Sequence, residues 1–97
     1  MNRRGTLHKR LEDTRTELQR LRAQLRVLEE QVAYVAGVAD EAETRALVSS
    51  TPLADRDLRA AAEDLRRTRR ERDQLAQRIA ALVAEQDSLL DRLAATS

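Results

Sequence analysis

The residues of this chain with the clearest chemical potential are a group of arginines and one aromatic side chain. The arginines lie in the segment Arg66-Arg67-Thr68-Arg69-Arg70-Glu71-Arg72, and Tyr34 is the one aromatic residue. A guanidinium group holds a carboxylate or a phosphate through two parallel hydrogen bonds, and it also stacks on aromatic rings. We therefore predict a binding surface for an acidic partner or an anionic nucleotide. Its residues are Tyr34, Arg66, Arg67, Arg69, Arg70 and Gln74.

The same arginines also allow a simpler interpretation. Most of them would then be solvated, and Arg72 would extend away from an apolar seam toward Glu29 or Glu30. The helix pairing predicted below places Arg70 opposite Tyr34, in a segment from 31 to 38 that contains no acidic residue. The absence of a neutralising acid across the pairing is the observation that favours a binding surface.

Residues suited to catalysis or metal binding are scarce. His8 is the single histidine, cysteine is absent, and Gly5 and Gly37 are the only glycines, so there is no glycine-rich phosphate loop. The acidic residues are expected on exposed helix faces, where no pocket would perturb their pKa values. We therefore expect neither catalytic nor metal-ligating residues, no cofactor and no enzymatic activity.

Each half of the chain carries apolar residues at alternating spacings of three and four. The first ladder consists of Leu7, Leu11, Thr14, Leu18, Leu21, Leu25, Leu28, Val32, Val35, Ala39, Ala42 and Ala46. The second consists of Ala54, Leu58, Ala61, Leu65, Thr68, Arg72, Leu75, Ile79, Leu82, Gln86, Leu89 and Leu93. Such spacing places the side chains of each ladder along one seam of a helix. We predict an all-α fold, an antiparallel two-helix coiled-coil hairpin that forms a single domain over residues 1–97.

The segment around the one proline predicts where the hairpin turns. We expect helix 1 over about residues 6–48, a turn at about 49–52 and helix 2 over about 52–94, with Thr51 as N-cap and Pro52 as the first helical residue. Pairing seam residues whose numbers add up to 103 or 104 centres the turn at Pro52. In this arrangement the basic arm 1–28, of net charge +5, lies beside the arm 79–97, of net charge −2.

A second apolar column on helix 2 indicates a further interface. The column consists of Ala62, Ala76, Val83 and Leu90, each one residue past a seam position. An isolated hairpin would leave Val27, Val38, Val83 and Leu90 exposed. We therefore expect either a homodimer that forms a four-helix bundle or a partner helix from another protein.

The chain also limits where the protein acts and on what. No apolar run approaches the roughly 18 residues of a membrane span, and the N-terminus lacks the apolar stretch of a secretory signal, so we expect a cytoplasmic protein. The basic tip that contains Arg3, Arg4, Lys9 and Arg10 is followed at once by Glu12 and Asp13. Because a basic-zipper fork needs a longer acid-free run, we do not expect direct DNA binding.

Helix 2 also carries part of a known motif. Glu63, Arg67, Arg70, Gln74 and Arg78 stand at spacings of 4, 3, 4 and 4. The chain thereby resembles the cyclic-di-GMP-dependent anti-sigma proteins of the RsiG type, helical hairpins whose motif has Glu, Ser, Arg, Gln and Asp at these spacings. Glu63, Arg70 and Gln74 match, whereas Arg67 replaces Ser and Arg78 replaces Asp; in helix 1 only Glu29 matches. The resemblance implies a bacterial transcription regulator with a sigma factor as partner and a cyclic dinucleotide as ligand.

Two functions therefore remain open from the sequence. The first is a non-enzymatic coiled-coil interaction module, a regulatory adaptor that binds another protein by helix packing. The second is an anti-sigma-like transcriptional regulator that binds cyclic-di-GMP or another anionic nucleotide. The first is the leading prediction from the sequence, and a purely structural spacer ranks behind both.

Overall fold

The computed structural model describes residues 2–96 and consists of two α-helices. Helix α1 spans Arg3–Ser49 and helix α2 spans Pro52–Ala95, and the described part of the chain contains no strand. The predicted helical hairpin is thus confirmed. Across the same described residues, neither helix is long and apolar enough to cross a membrane.

Polar side chains define where both helices begin. Asn2 caps α1, because its Oδ1 accepts a hydrogen bond from the Gly5 N–H at 2.5 Å, so this helix begins three residues earlier than the predicted residue 6. Thr51 caps α2 as predicted, because its Oγ1 accepts from the Ala54 N–H at 3.1 Å. Each helix also ends one residue later than predicted, at Ser49 and at Ala95.

The chain forms two compact units, and each of them is a pair of helix segments. The terminal unit combines α1 up to Leu25 with α2 from Leu75 onward, and the turn unit is Arg26–Gln74. Side chains shielded from solvent in the terminal unit are Leu7, Thr14, Leu18, Leu21 and Leu89. Those in the turn unit are Val32, Val35, Ala39, Ala42 and Thr68. All of them belong to the two predicted ladders, so the predicted seam is confirmed.

Two buried threonines interrupt the apolar seam without leaving a hydroxyl unsatisfied. Thr14 donates to the carbonyl oxygen of Arg10, and Thr68 donates to that of Asp64, both at 2.8 Å. A hydroxyl that bonds to the carbonyl four residues earlier needs no partner from the facing helix. The seam can therefore contain threonine at these two positions, because both buried hydroxyl groups are hydrogen-bonded.

Ion pairs between the two helices of the terminal unit correct the predicted register. Arg10 lies 3.5 Å from Glu85, and Arg78 lies 3.5 Å from Glu17. Both pairs of residue numbers add up to 95 rather than to 103 or 104. The predicted register would place the backbones of such a pair about 13 Å apart along the helix axis. The helices of this unit are therefore paired at lower sums than predicted.

Candidate functional site

The arginines of the predicted site project from the outer face of α2 in the turn unit. At about 100° per residue, Arg66, Arg67, Arg69 and Arg70 are distributed over an arc of about 160° around the helix. Gln74 falls inside this arc, and all five side chains are exposed. The four guanidinium groups therefore form a broad cationic face rather than a pocket around one small ligand.

Two of these arginines are neutralised by acids of their own helix. Arg66 Nη2 lies 2.9 Å from Glu63 Oε2, and Arg67 Nη2 lies 2.7 Å from Asp64 Oδ1. The hydrogen bond from Arg66 lowers the pKa of Glu63, with smaller contributions from the charges of Arg70 and Arg67. The sequence analysis considered only the facing segment, whereas the acids that pair with Arg66 and Arg67 lie three residues earlier on the same helix.

Arg69 and Arg70 differ from their neighbours in having no carboxylate partner. Among residues 2–96, neither guanidinium group has a carboxylate oxygen within the 4.0 Å of an ion pair, and neither donates a side-chain hydrogen bond.

Arg72 does not pair with the acids of α1 that the sequence suggested. Its Nε donates to Oδ1 of the adjacent Asp73 at 3.0 Å, rather than to Glu29 or Glu30, and its side chain is about one-third exposed.

Tyr34 belongs to the same unit as the arginines but makes no hydrogen bond or ring contact with them. Its side chain is 74% exposed, and within the described part of the chain no hydrogen bond or ring contact joins it to another residue. The structure thus places Tyr34, Gln74 and the four arginines in one unit, without assembling them into one site.

The predicted interface column on α2 is unevenly exposed. Leu90 and Ala76 are exposed, whereas Ala62 and Val83 are half-buried. The expectation that Val83 would be exposed is therefore wrong, because the side chain next to a seam position is partly covered by the facing helix. Val27 and Val38 are exposed as expected.

A row of exposed residues on α1, three of them apolar, is a surface that the sequence analysis did not identify. We name Val27, Gln31, Tyr34 and Val38 the Tyr34 stripe. Their spacings of 4, 3 and 4 place them on one face of α1, beside the seam, and all four are exposed. The sequence contains the signal as a second row of residues spaced by four, three and four, but the valines and Tyr34 are there interpreted separately, as exposed apolar residues and as an aromatic partner for arginine.

A shallow cleft lies at the end of the terminal unit. It encloses about 240 Å³ and is lined by Arg3, Leu7, Arg92, Ala95 and Thr96. All of these residues except Leu7 are exposed. The cleft is therefore a solvated notch where the paired helices end, and it contains no carboxylate, histidine or serine that could carry out acid–base or nucleophilic chemistry.

Across residues 2–96, no three His, Asp or Glu side chains are close enough together to hold a metal ion.

Comparison with known proteins does not place the chain in a family. No protein-family model, no curated protein and no solved structure matches it, so the functional argument rests on the chain's own residues.

Proposed function

We propose that this protein is a non-enzymatic helical interaction module that acts as a regulatory adaptor by packing a helix face against another protein chain. The observation that carries the proposal is the set of large apolar side chains left uncovered by the hairpin. They are Val27, Tyr34, Val38, Leu47, Val48, Leu53 and Leu90.

A fold of two paired helices is only one layer thick and has little interior. Two paired helices bury one seam, and any apolar residue outside that seam remains in water unless a further chain covers it. Leu90 is 46% exposed and Tyr34 is 74% exposed, on different helices. A second copy that covers the column of Val83 and Leu90 would produce the four-helix bundle expected from the sequence.

Self-association can be tested by sedimentation with matched variants of α2. We expect the parent to sediment as a dimer and Val83→Glu/Leu90→Glu to sediment as a monomer, because the new carboxylates would have to be buried without partners. The control is Ala81→Glu/Ser88→Glu, which adds the same charges at the same spacing on exposed positions of the same helix. If the parent is monomeric at all concentrations tested, the proposed dimer is ruled out. Equal effects of both variants would place the interface elsewhere.

A second candidate function has its own supporting observation. Arg69 and Arg70 are exposed and lack carboxylate partners within the described residues, so they are available to an anionic ligand. This favours an anti-sigma-like regulator that responds to a cyclic dinucleotide. Calorimetry with cyclic-di-GMP should show binding that Arg69→Ala/Arg70→Ala abolishes. Arg66→Ala/Arg67→Ala should have a smaller effect, because those two arginines are already paired. Absence of any heat of binding to the parent would eliminate the nucleotide.

A further inference from the structure

We propose that the Tyr34 stripe binds a basic amphipathic helix of a different protein. This inference rests on the proposed function as an interaction module, and it assigns one surface and one partner chemistry to that function. The surface lies entirely on α1 within the turn unit.

The stripe has the dimensions of a helix-docking surface. Val27 is 64% exposed, Tyr34 is 74% exposed and Val38 is 37% exposed, and Gln31 between them is uncharged. From Val27 to Val38 the stripe covers about 16 Å along the helix axis, or three turns. A partner helix packs on such a surface with its own apolar residues spaced by three and four.

Gly37 leaves a shallow depression in the surface of α1 beside the stripe. A Cβ atom added at Gly37 would meet no heavy atom within 4 Å, so the packing of this chain does not require a glycine here. Glycine in the middle of a helix nevertheless weakens it. Next to Tyr34 and Val38, the missing side chain allows another helix to approach the backbone of α1 closely.

The charges around the stripe determine what kind of helix fits. Every charged residue of α1 between Val27 and Thr44 is acidic: Glu29, Glu30, Asp40, Glu41 and Glu43. Among residues 2–96, none of these carboxylates lies within the 4.0 Å of an ion pair with a basic group. Glu30 and Glu41 border the stripe, because each is separated by three, four or seven residues from stripe members. A helix with apolar residues in the centre and Lys or Arg at both ends of the contact would neutralise them.

A second copy of this chain does not have that chemistry. Of the large exposed apolar residues of α2, Leu90 lies between Asp87 and Asp91, and Leu53 is followed by Asp55 and Asp57; all four acids are exposed. The basic part of α1 carries its leucines on the buried seam, with Leu18 and Leu21 almost fully shielded. Acidic surroundings on both apolar surfaces would repel each other, so the occupant is a different protein.

The test uses two synthetic helical peptides and the full chain. One peptide has Leu at positions i, i+4, i+7 and i+11 with Lys at both ends, and its twin has Glu in place of each Lys. We expect fluorescence anisotropy to show that the Lys peptide binds at least tenfold more tightly than the Glu peptide. Added salt should weaken the binding of the Lys peptide, because charge attraction is screened.

Three test variants and one control variant of the chain connect this binding to the stripe. Tyr34→Ala/Val38→Ala should weaken binding of the Lys peptide at least tenfold. The control Leu47→Ala/Val48→Ala truncates two exposed apolar residues outside the stripe and should bind as the parent does. Glu30→Gln/Glu41→Gln should bind several-fold more weakly and lose most of the salt dependence. Gly37→Leu should raise the melting temperature and yet weaken binding at least tenfold, a combination that a defect in folding cannot produce.

Several outcomes would overturn the inference. They are failure of the Lys peptide to bind, equal binding of both peptides, and equal effects of the stripe variant and its control. A dimeric parent that the stripe variant converts to a monomer would assign the stripe to a second copy instead. Because dimerisation is tested through Val83 and Leu90, a dimeric parent with no peptide binding would leave the proposed function standing and remove only this inference.

Discussion

At the scale of single residues, Ser50 shows how the turn between the helices is made. Its φ of 50° lies in the left-handed region, and its N–H donates to the carbonyl of Ala46 at 3.1 Å. This is the usual conformation of the residue that follows a helix C-terminus, where glycine is preferred because it has no Cβ to clash. The chain has serine here and so retains a small local strain.

We expect Ser50→Gly to stabilise the protein by up to about 1 kcal/mol, since relief of the left-handed strain exceeds the added chain entropy. Ser49→Gly, at the last residue of α1, should instead destabilise it by about 0.5–1 kcal/mol. Urea unfolding followed by circular dichroism measures both. Two changes of the same sign would mean that residue 50 does not adopt this conformation in solution.

A second residue-scale effect concerns Glu17. Arg20 donates two hydrogen bonds to this carboxylate, at 2.6 and 3.1 Å, and Arg78 reaches it at 3.5 Å. The hydrogen bond from Arg20 is the main cause that lowers the pKa of Glu17, and partial desolvation opposes it more weakly. A carboxyl group whose pKa is lowered by folding stabilises the folded state above its ordinary pKa, and this stabilisation disappears as the pH falls through the lowered value.

We therefore expect the free energy of unfolding to decrease as the pH falls below the ordinary value of 4.5. Glu17→Gln should be less stable than the parent at pH 7, and the difference should vanish in acid. Denaturant unfolding at a series of pH values gives this comparison. Glu12→Gln is the control, since it removes an acid outside the ion-pair network; an equal effect from it would show that net charge, rather than Glu17, is responsible.

At the scale of the helical elements, the charges along the two facing edges of the terminal unit complement the register. Arg10 and Glu17 on α1 face Glu85 and Arg78 on α2, so each contact joins opposite charges. Moving α2 by seven residues in either direction would place Arg10 beside Arg92 or Arg78. The same move would place Glu17 beside Glu85 or Glu71. Because apolar residues repeat every three and four positions, the seam alone tolerates such shifts, whereas the charges do not.

We expect measurable energetic coupling between Arg10 and Glu85. Arg10→Glu and Glu85→Arg should each destabilise the hairpin, because like charges then face one another, and the double variant should recover most of the loss. For a half-exposed pair the coupling is expected at about 0.2–1 kcal/mol, and it should shrink in 1 M salt. A double-mutant cycle by urea unfolding measures it. Additive losses would show that the pair does not contribute to the register.

At the scale of the whole molecule, stability depends on a narrow seam. Within residues 2–96, the buried side chains all lie on the two ladders, with Leu18 and Leu89 the largest that are almost fully shielded. A chain of this size has a total stability of about 5–15 kcal/mol. Truncation of one buried side chain in the seam therefore removes a large part of the free energy of unfolding. Exposed apolar residues contribute little to this free energy and remain available for binding.

We expect Leu18→Ala to lower the free energy of unfolding by about 2–5 kcal/mol, because it removes buried methyl groups and leaves a cavity. Leu47→Ala, which truncates a side chain that is 77% exposed, should change it by less than about 0.5 kcal/mol. Thermal and urea unfolding at low protein concentration compare the two. Similar losses at both positions would mean that Leu47 is covered in solution by a contact that the single chain does not show.

The sequence by itself determined the two helices, the turn with its Thr51 cap and the seam residues, because helix periodicity, capping and proline geometry are local properties of the chain. It also identified the arginines, since their positions along the chain are known without the structure. Tertiary structure decided the register, the pairing of Arg66 and Arg67 with acids of their own helix, and the separation of Tyr34 from the arginines. It also showed the exposure of the Tyr34 stripe. These features depend on how far α1 slides along α2 and on which side chains the facing helix covers, and the repeating apolar pattern is compatible with more than one answer.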